Sequence, residues 1–229
     1  MKKEESRDDM EEEIKQTQSL KYLLVIFAVI VLIFGAFAFT RILLKPKTKT
    51  IDDLFEESLE NPDENAFVYN GFSFVRIQGL WYTRIKKPKT GEIFTIPLHF
   101  SPIDTKDVIV SGDIYSFAAH VESLNKVYIS FNPYEQGLSY VALANSELSA
   151  SLIQAIGINP TITCDRFQEG VCENTELINC TNTDDPVIYL TNQEHTSVVL
   201  EGNCLILKGK DLELTKAMNR FLYTWFGVM

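Results

Sequence analysis

An uncharged apolar run near the N-terminus constrains this chain more than any other feature of its sequence. Lys21 and Arg41 bracket the 19-residue segment YLLVIFAVIVLIFGAFAFT, which occupies residues 22–40. An α-helix of this length extends for about 28 Å, close to the roughly 30 Å thickness of a bilayer's hydrocarbon core. Because Arg41 can snorkel to the interface, the sequence predicts a transmembrane helix over residues 22–44 that contacts the lipid bilayer.

A cleaved signal peptide is the alternative interpretation of this run. Ala36-Phe37-Ala38 resembles an A-x-A cleavage site. The apolar run is longer than the core of a typical signal peptide, however, and the preceding residues 1–21 are rich in acidic side chains. We therefore expect an uncleaved signal anchor that follows a charged cytoplasmic tail over residues 1–21.

The cysteines indicate on which side of the membrane the rest of the chain lies. Basic residues before and after the apolar run nearly balance, so the positive-inside rule selects no orientation. All four cysteines follow the run: Cys164, Cys172, Cys180 and Cys204. An even number of cysteines in one domain suits disulfides and an oxidising compartment. We expect a single-pass protein of the cell membrane with its N-terminus in the cytoplasm and its C-terminal domain outside.

The cysteine spacing, C-x7-C-x7-C-x23-C, favours disulfides over a zinc site or a redox centre. Zinc sites usually contain close C-x2-4-C pairs and redox enzymes carry C-x-x-C, and neither pattern occurs here. We favour Cys164–Cys172, which closes a short polar loop, with Cys180–Cys204, which joins a strand start to a hairpin near the C-terminus. Cys164–Cys180 with Cys172–Cys204 is the alternative pairing.

Beyond the membrane, the sequence predicts a stalk and then an α+β (mixed α/β) domain. The stalk, residues 45–65, contains a short amphipathic helix with Thr50 as N-cap, ending before Asn61-Pro62. Residues 66–125 are the predicted β-rich part of the domain. Residues 126–229 are the predicted α/β part, which carries the cysteines.

The β-rich part is predicted to be an antiparallel meander. Gln78-Gly79 separates two strand-like runs and is a hairpin turn signal. Pro97 indicates that its strand lies at an edge or contains a bulge. The predicted strands are residues 72–77, 80–85, 92–100 and 108–110.

The α/β part is predicted to contain a βαβ unit and a closing helix. A strand at residues 127–131, a helix at 138–156 and a strand at 161–163 indicate a right-handed crossover. Residues 211–226 form the C-terminal helix, with apolar residues on its inner face. Further short strands are predicted at residues 177–178, 187–190, 197–200 and 204–207.

The charge balance excludes one class of partner. Residues 51–229 contain 12 Lys or Arg and 24 Asp or Glu, a formal charge of −12. Nucleic-acid binding depends on basic patches that displace counterions from phosphates. We therefore expect no nucleic-acid partner.

The search for catalytic groups leaves one candidate, His99. It ends a predicted strand near Asp104, so it could act as a general base, and a structural histidine is the alternative. No histidine belongs to a short metal motif, and no nucleophile elbow, phosphate-binding loop or dinucleotide fingerprint occurs. We expect neither a metal nor a cofactor.

Two other candidate sites follow from local patterns. Trp81 and Tyr82 end an aromatic-rich run that would form a binding face if it were exposed, with core packing as the alternative. Asn179-Cys180-Thr181 is an N-x-T sequon, which makes Asn179 a candidate glycosylation site.

Several short segments occur in a characteristic order along the domain. They are QGLWYT (78–83), PLHFSP (97–102), YISFNP (128–133), NC (203–204) with Gly209, Ala217, RFLY (220–223) and FGVM (226–229). From about Phe67 to the C-terminus, the chain resembles uncharacterised archaeal single-pass membrane proteins with a Cys-containing outer domain. The resemblance implies an archaeal envelope location and no particular activity.

These features predict a membrane-anchored binding or structural protein of the cell envelope, acting through protein–protein interaction with an envelope partner, rather than an enzyme. The alternative is a membrane-anchored envelope hydrolase that uses His99 with nearby carboxylates. A cleft in which His99 meets Asp104, Asp107 or Glu147 would favour the hydrolase. A flat apolar patch on the β-rich part would favour the binding protein.

Overall fold

The computed structural model describes residues 27–37, 39–40, 49–87 and 90–229, and the chain divides into two units, Met1–Lys49 and Thr50–Met229. In the first unit, residues 27–37 and 39–40 are helical, and their large apolar side chains are exposed. Among the described residues, no helix is both long enough and apolar enough to cross a membrane. The predicted cytoplasmic tail, residues 22–26, 38 and 41–44 of the predicted span, and residues 45–48 lie outside the described residues.

The second unit begins with helix α1 (Ile51–Glu60), which confirms the short helix predicted in the stalk. The Thr50 hydroxyl accepts a hydrogen bond from the Asp53 amide at 3.2 Å, and the Asp53 carboxylate accepts one from the Thr50 amide at 2.8 Å. This capping box satisfies two amides at the helix start. Phe55 is buried on the face of α1 that packs against the first two strands of the domain.

A four-stranded antiparallel meander follows; its last three strands were predicted from the sequence, and its first was not. Its strands are β1 (Ala66–Tyr69), β2 (Phe72–Ile77), β3 (Leu80–Lys86) and β4 (Ile93–Leu98). Gln78 and Gly79 join β2 to β3 with φ of 52° and 89°, the left-handed conformation that a two-residue type I′ turn requires. Pro97 lies on β4, an edge strand, where its missing amide hydrogen is tolerated.

A second, six-stranded sheet has the order β5-β9-β10-β8-β6-β7. Its strands are β5 (Ile109–Ser111), β6 (Tyr128–Phe131), β7 (Thr161–Cys164), β8 (Val187–Thr191), β9 (Ser197–Glu201) and β10 (Cys204–Lys208). Strands β6, β7, β8 and β10 are parallel to one another, and β9 is antiparallel to β10. The sheet therefore contains both parallel and antiparallel strand pairs.

Two predictions about strands are corrected here. The strand expected after the meander is β5, which pairs with β9 in the six-stranded sheet rather than with β4. Its partner lies far along the chain, and a local strand pattern does not identify a distant partner. The strand predicted at residues 177–178 is reduced to one isolated bridge between Leu177 and Cys164.

Three helices complete the domain, and one of them was not predicted. Helix α2 (Ile114–Leu124) begins at Asp113, whose carboxylate caps the Ser116 amide at 3.1 Å. Helix α3 (Leu138–Ser151) continues through a π-helical turn, Leu152–Ile156, and lies between β6 and β7 in sequence, which confirms the predicted βαβ unit. Helix α4 (Leu212–Trp225) is the predicted C-terminal helix.

One hydrophobic core of the described residues joins both sheets and helices α2, α3 and α4. Helix α3 contacts β8 in the six-stranded sheet and β4 in the meander. Helix α4 contacts β9 and β10, and its Tyr223 ring lies edge-on to Phe74 of β2 with centroids 5.7 Å apart. The side chains of α4 therefore reach both sheets, which places the ends of the meander strands beside this helix.

Both favoured disulfides are present. Cys164–Cys172 has a Cα separation of 6.1 Å and Cys180–Cys204 one of 5.3 Å, and no described cysteine is free. Cys180 and Cys204 belong to a small apolar cluster apart from the main core. Two disulfides are consistent with a domain that folds in an oxidising, extracytoplasmic compartment.

Candidate active site

A cavity of about 610 Å³ lies where the meander, the loop after it and the start of α4 meet. This volume is within the range of small-molecule sites. Most of its lining side chains are polar or charged. The lining residues include Arg76, Trp81, His99, Phe100, Asp104 and Lys216.

The register of the meander places three of these residues together. Arg76 on β2 is paired with Trp81 on β3, and Trp81 is paired with Leu98, the last residue of β4. Directly paired residues on antiparallel strands point to the same face of the sheet. His99 follows Leu98 immediately, beyond the end of β4, and lines the same cavity as Arg76 and Trp81.

His99 forms a pair with a carboxylate from α3. Its Nδ1 lies 2.5 Å from Oε2 of Glu147, and its backbone amide donates to Oε1 of Glu147 at 3.3 Å. The Glu147 side chain is 9% exposed and that of His99 is 31% exposed. Because Glu147 engages Nδ1, Nε2 is the ring nitrogen left for the cavity, and no described residue hydrogen bonds to it.

Helix α4 also holds the His99–Glu147 pair in place through hydrogen bonds. The Asn219 amide nitrogen donates to Oε1 of Glu147 at 2.5 Å, and its carbonyl oxygen accepts from the Phe100 amide at 2.9 Å. The Tyr223 hydroxyl donates to the Phe100 carbonyl at 2.6 Å. Asn219 and Tyr223 are both fully buried. Two residues one turn apart on α4 therefore hold the backbone that carries His99 as well as the carboxylate that orients it.

The electrostatics of the pair favour a charged imidazole. The hydrogen bond to Glu147 raises the pKa of His99 above its ordinary value, more than partial burial lowers it, and the negative charge of Glu147 raises it further. A carboxylate bonded to Nδ1 also fixes the neutral tautomer, in which Nε2 is the proton acceptor. His99 can therefore exchange a proton through Nε2.

Two of the other charged residues of the cavity, Lys216 and Asp104, are held by neighbours. Lys216 pairs with Asp107 at 2.9 Å and with Glu213 at 3.5 Å. The hydrogen bond from Lys216 lowers the pKa of Asp107. Oδ2 of Asp104 accepts from the amide of Ser101 at 2.9 Å and from its hydroxyl at 2.7 Å. Of the three carboxylates considered as partners, Glu147 meets His99, Asp104 shares the cavity, and Asp107 pairs with Lys216 instead.

Trp81 and Tyr82, the two residues predicted to belong to a binding face, lie on opposite faces of the meander. Trp81 lines the cavity and is mostly buried, with its ring edge-on to Phe67 at 5.2 Å. Tyr82 is the next residue along β3, so its side chain points to the opposite face. Trp81 therefore has both a core role and a cavity role, and Tyr82 belongs to a different surface.

The candidate glycosylation site is a turn beside a disulfide. Oδ1 of Asn179 accepts from the Thr181 amide at 2.9 Å and from the Thr181 hydroxyl at 2.8 Å. The intervening Cys180 is disulfide-bonded to Cys204. Glycosylation of Asn179 stays a prediction.

Among the described residues, no group of three or more His, Cys, Asp or Glu side chains could hold a metal ion. No protein-family model matches the chain, and comparisons with curated proteins and with solved structures also find no match. The chemistry of the His99 cavity is therefore the basis for a proposal about function.

Proposed function

We propose that the domain Thr50–Met229 is an extracytoplasmic hydrolase in which His99 is the general base and Glu147 orients it. The observation that supports this proposal is the 2.5 Å contact between Nδ1 of His99 and Oε2 of the nearly buried Glu147, at the wall of a small-molecule-sized cavity. A general base needs a fixed tautomer, a free nitrogen and access to substrate. His99 has all three.

The reaction proceeds by direct attack of water. Nε2 of neutral His99 takes a proton from water while the water oxygen forms a bond to the electrophilic atom of the substrate. The bond from that atom to the leaving group then breaks, and the leaving group receives the proton from Nε2 of His99. Glu147 stays ionised throughout and stabilises the transient imidazolium through Nδ1–H, as the carboxylate of a catalytic triad does.

Two features support an extracytoplasmic, membrane-attached location for this chemistry. The disulfides suit an oxidising compartment. The apolar run of residues 22–40 has the composition of a membrane anchor, and the described helical residues within it expose their apolar side chains. We therefore propose that the anchor tethers the hydrolase to the membrane and that its substrate belongs to the cell envelope or to the medium.

The test is hydrolysis of a panel of chromogenic substrates by the full-length chain purified in detergent. The panel contains p-nitrophenyl esters, phosphate mono- and diesters, and glycosides. We expect one class to be hydrolysed, and His99→Ala to lower the rate by roughly 100-fold or more. His120→Ala is the matched control, because His120 lies on α2 and does not line the cavity. Equal rates for the wild type and His99→Ala across the whole panel would contradict the proposal.

A second candidate function is binding to an envelope protein, and exposed aromatic side chains favour it. Tyr134 is 63% exposed and Phe167 is 56% exposed, and the Tyr134 hydroxyl donates to the Phe167 carbonyl at 3.1 Å. Exposed aromatic side chains are enriched at protein interfaces. Cross-linking in native membranes followed by mass spectrometry tests this function. A partner that is recovered with the wild type and lost with Tyr134→Ala plus Phe167→Ala would support binding, and unchanged recovery would exclude this surface.

A further inference from the structure

The His99 cavity differs in charge from the rest of the domain. Residues 51–229 carry twice as many acidic as basic side chains, yet Arg76, Lys216 and His99 all line this one cavity. Its acidic lining residues, Glu64 and Asp104, are exposed. The lining therefore has as many basic as acidic side chains, together with His99, in a domain where acidic side chains outnumber basic ones two to one.

Arg76 is the lining cation that is free to bind a ligand. Its backbone amide donates to the Asn65 carbonyl at 2.7 Å, but among the described residues its guanidinium forms no ion pair or hydrogen bond. The guanidinium carbon lies 5.6 Å from the centroid of the Trp81 ring. Stacking on an aromatic face orients a guanidinium while its N–H groups stay available.

Lys216 differs from Arg76 in this respect. Its side chain is 13% exposed, and its ammonium group is shared between Asp107 and Glu213. The positive charge of Lys216 is therefore compensated within the protein. Arg76, with no carboxylate partner among the described residues, carries a charge that a ligand could compensate.

The positions of Arg76 and His99 define how a ligand would be oriented in the cavity. Arg76, Trp81 and Leu98 form one row across three adjacent strands, and His99 follows Leu98. Adjacent strands are about 4.8 Å apart, so the backbones of Arg76 and Leu98 are separated by about 10 Å. One end of a small molecule can therefore contact the guanidinium while a reactive bond of the same molecule lies at Nε2 of His99.

We infer that the substrate of the proposed hydrolase carries an anionic oxygen group, a carboxylate or a phosphate, that Arg76 binds while the scissile bond lies at His99. The planar guanidinium presents paired N–H donors that match two oxygens of either group. The ring of Trp81 forms the wall beside the bound anion. This inference rests on the proposed function for its substrate, although anion binding itself requires no catalysis.

Anion binding can be measured without a known substrate. The full-length chain in detergent is titrated with succinate in one arm and with inorganic phosphate in the other, and the imidazole Cε1–H resonance of His99 is followed by NMR. We expect at least one anion to shift this resonance in a saturable manner. A response to phosphate alone identifies phosphate-bearing substrates, and a response to succinate alone identifies carboxylate-bearing ones.

Substitutions at Arg76 test whether this residue binds the anion. Arg76→Gln should weaken anion binding by about tenfold or more. Arg76→Lys should restore part of the affinity, because lysine keeps the positive charge but lacks the paired N–H donors of the guanidinium. Lys86→Gln is the control for net charge, since Lys86 is exposed and lines a different cavity. Thermal unfolding checks that each variant is folded.

Two results would overturn the inference: no saturable shift with either anion, or equal affinities for the wild type and Arg76→Gln. Neither result affects the comparison of His99→Ala with His120→Ala on the chromogenic panel. Conversely, anion binding at Arg76 without hydrolysis would leave a binding site and remove the proposed enzyme. The two proposals can therefore fail separately.

Discussion

Nδ1 of His99 lies 2.5 Å from Oε2 of Glu147, although the two residues are 48 positions apart in the sequence. One residue follows the edge strand of the meander and the other lies on the helix of the βαβ unit. The contact is therefore a product of the packing between the two halves of the domain. It converts a strand-end histidine into an oriented acid–base group.

Glu147→Gln should lower the pKa of His99. The hydrogen bond and the charge of Glu147 are the causes that raise this pKa, and glutamine keeps the shape of the side chain without the charge. An NMR titration of the histidine Cε1–H resonances measures the change. The His120 resonance is the internal reference, since His120 lies outside the cavity. An unchanged His99 midpoint in the variant would show that Glu147 does not set its pKa.

The same pair predicts a pH dependence of stability. The folded-state pKa of His99 is above the ordinary value of 6.5, so the stabilisation from the pair is complete below about pH 6.5, while Glu147 is ionised. It is lost as the pH rises through the folded-state value. The difference in unfolding free energy between the wild type and Glu147→Gln should be larger near pH 6 than near pH 9. Urea unfolding at the two pH values measures it, and a larger difference at the higher pH would contradict the assignment.

Tyr223→Phe should destabilise the domain by about 1–3 kcal/mol, because it leaves the part-buried Phe100 carbonyl without its donor. Tyr115→Phe is the matched control. The Tyr115 hydroxyl donates to the Met229 carbonyl at 3.0 Å, but this bond is exposed, so water can replace it. Chemical unfolding of both variants gives the comparison. Equal losses would mean that burial of the Phe100 carbonyl does not matter.

The elements that the sequence predicted well are those set by local chemistry. Gln78-Gly79 between two strand-like runs specifies a two-residue turn, and the structure contains it. The capping box at Thr50 and Asp53 is equally local. The favoured disulfide pairing followed from loop lengths and from the position of Cys204 in a hairpin, and it is confirmed.

Other features were missed for two different reasons. The sequence does contain a signal for α2, because Ile114, Phe117, Ala118 and Val121 have helical spacing after a capping Asp113. The site residues Arg76 and Asn219 carried no such signal. Asn219 meets Glu147 across 72 positions of sequence, and Arg76 reaches the cavity only through strand register. Contacts of this kind depend on tertiary packing, which periodicity does not encode.

Removing the disulfide Cys180–Cys204 should cost more stability than removing Cys164–Cys172. The sequence separations are 24 and 8 residues, and a longer closed loop restricts the unfolded chain more. The chain-entropy relation gives a difference of about 1 kcal/mol in favour of the longer loop. Paired Cys→Ala variants, compared by urea unfolding, measure it. A larger loss from Cys164→Ala plus Cys172→Ala would show that native-state packing outweighs loop length.

Gly209→Ala should destabilise the domain more than Gly202→Ala. A Cβ at Gly209 would lie 2.4 Å from backbone atoms of Glu213 and Leu214, at the start of α4, which cannot move without shifting the helix. We expect a cost of about 3 kcal/mol, at the upper end for overpacking. A Cβ at Gly202 meets nothing within 4 Å, and its cost comes only from the positive φ of 62°, about 1–2 kcal/mol. Thermal or urea unfolding of both variants distinguishes steric strain from conformational strain.

The pH dependence of kcat/KM for the substrate that the panel identifies, measured for the wild type and for Glu147→Gln, tests the role of His99 most directly. If neutral His99 is the general base, kcat/KM rises with pH through the pKa of His99, and the midpoint lies at lower pH in the variant. A profile whose midpoint is the same in both proteins, or one that falls as the pH rises through this range, would contradict general-base catalysis by His99.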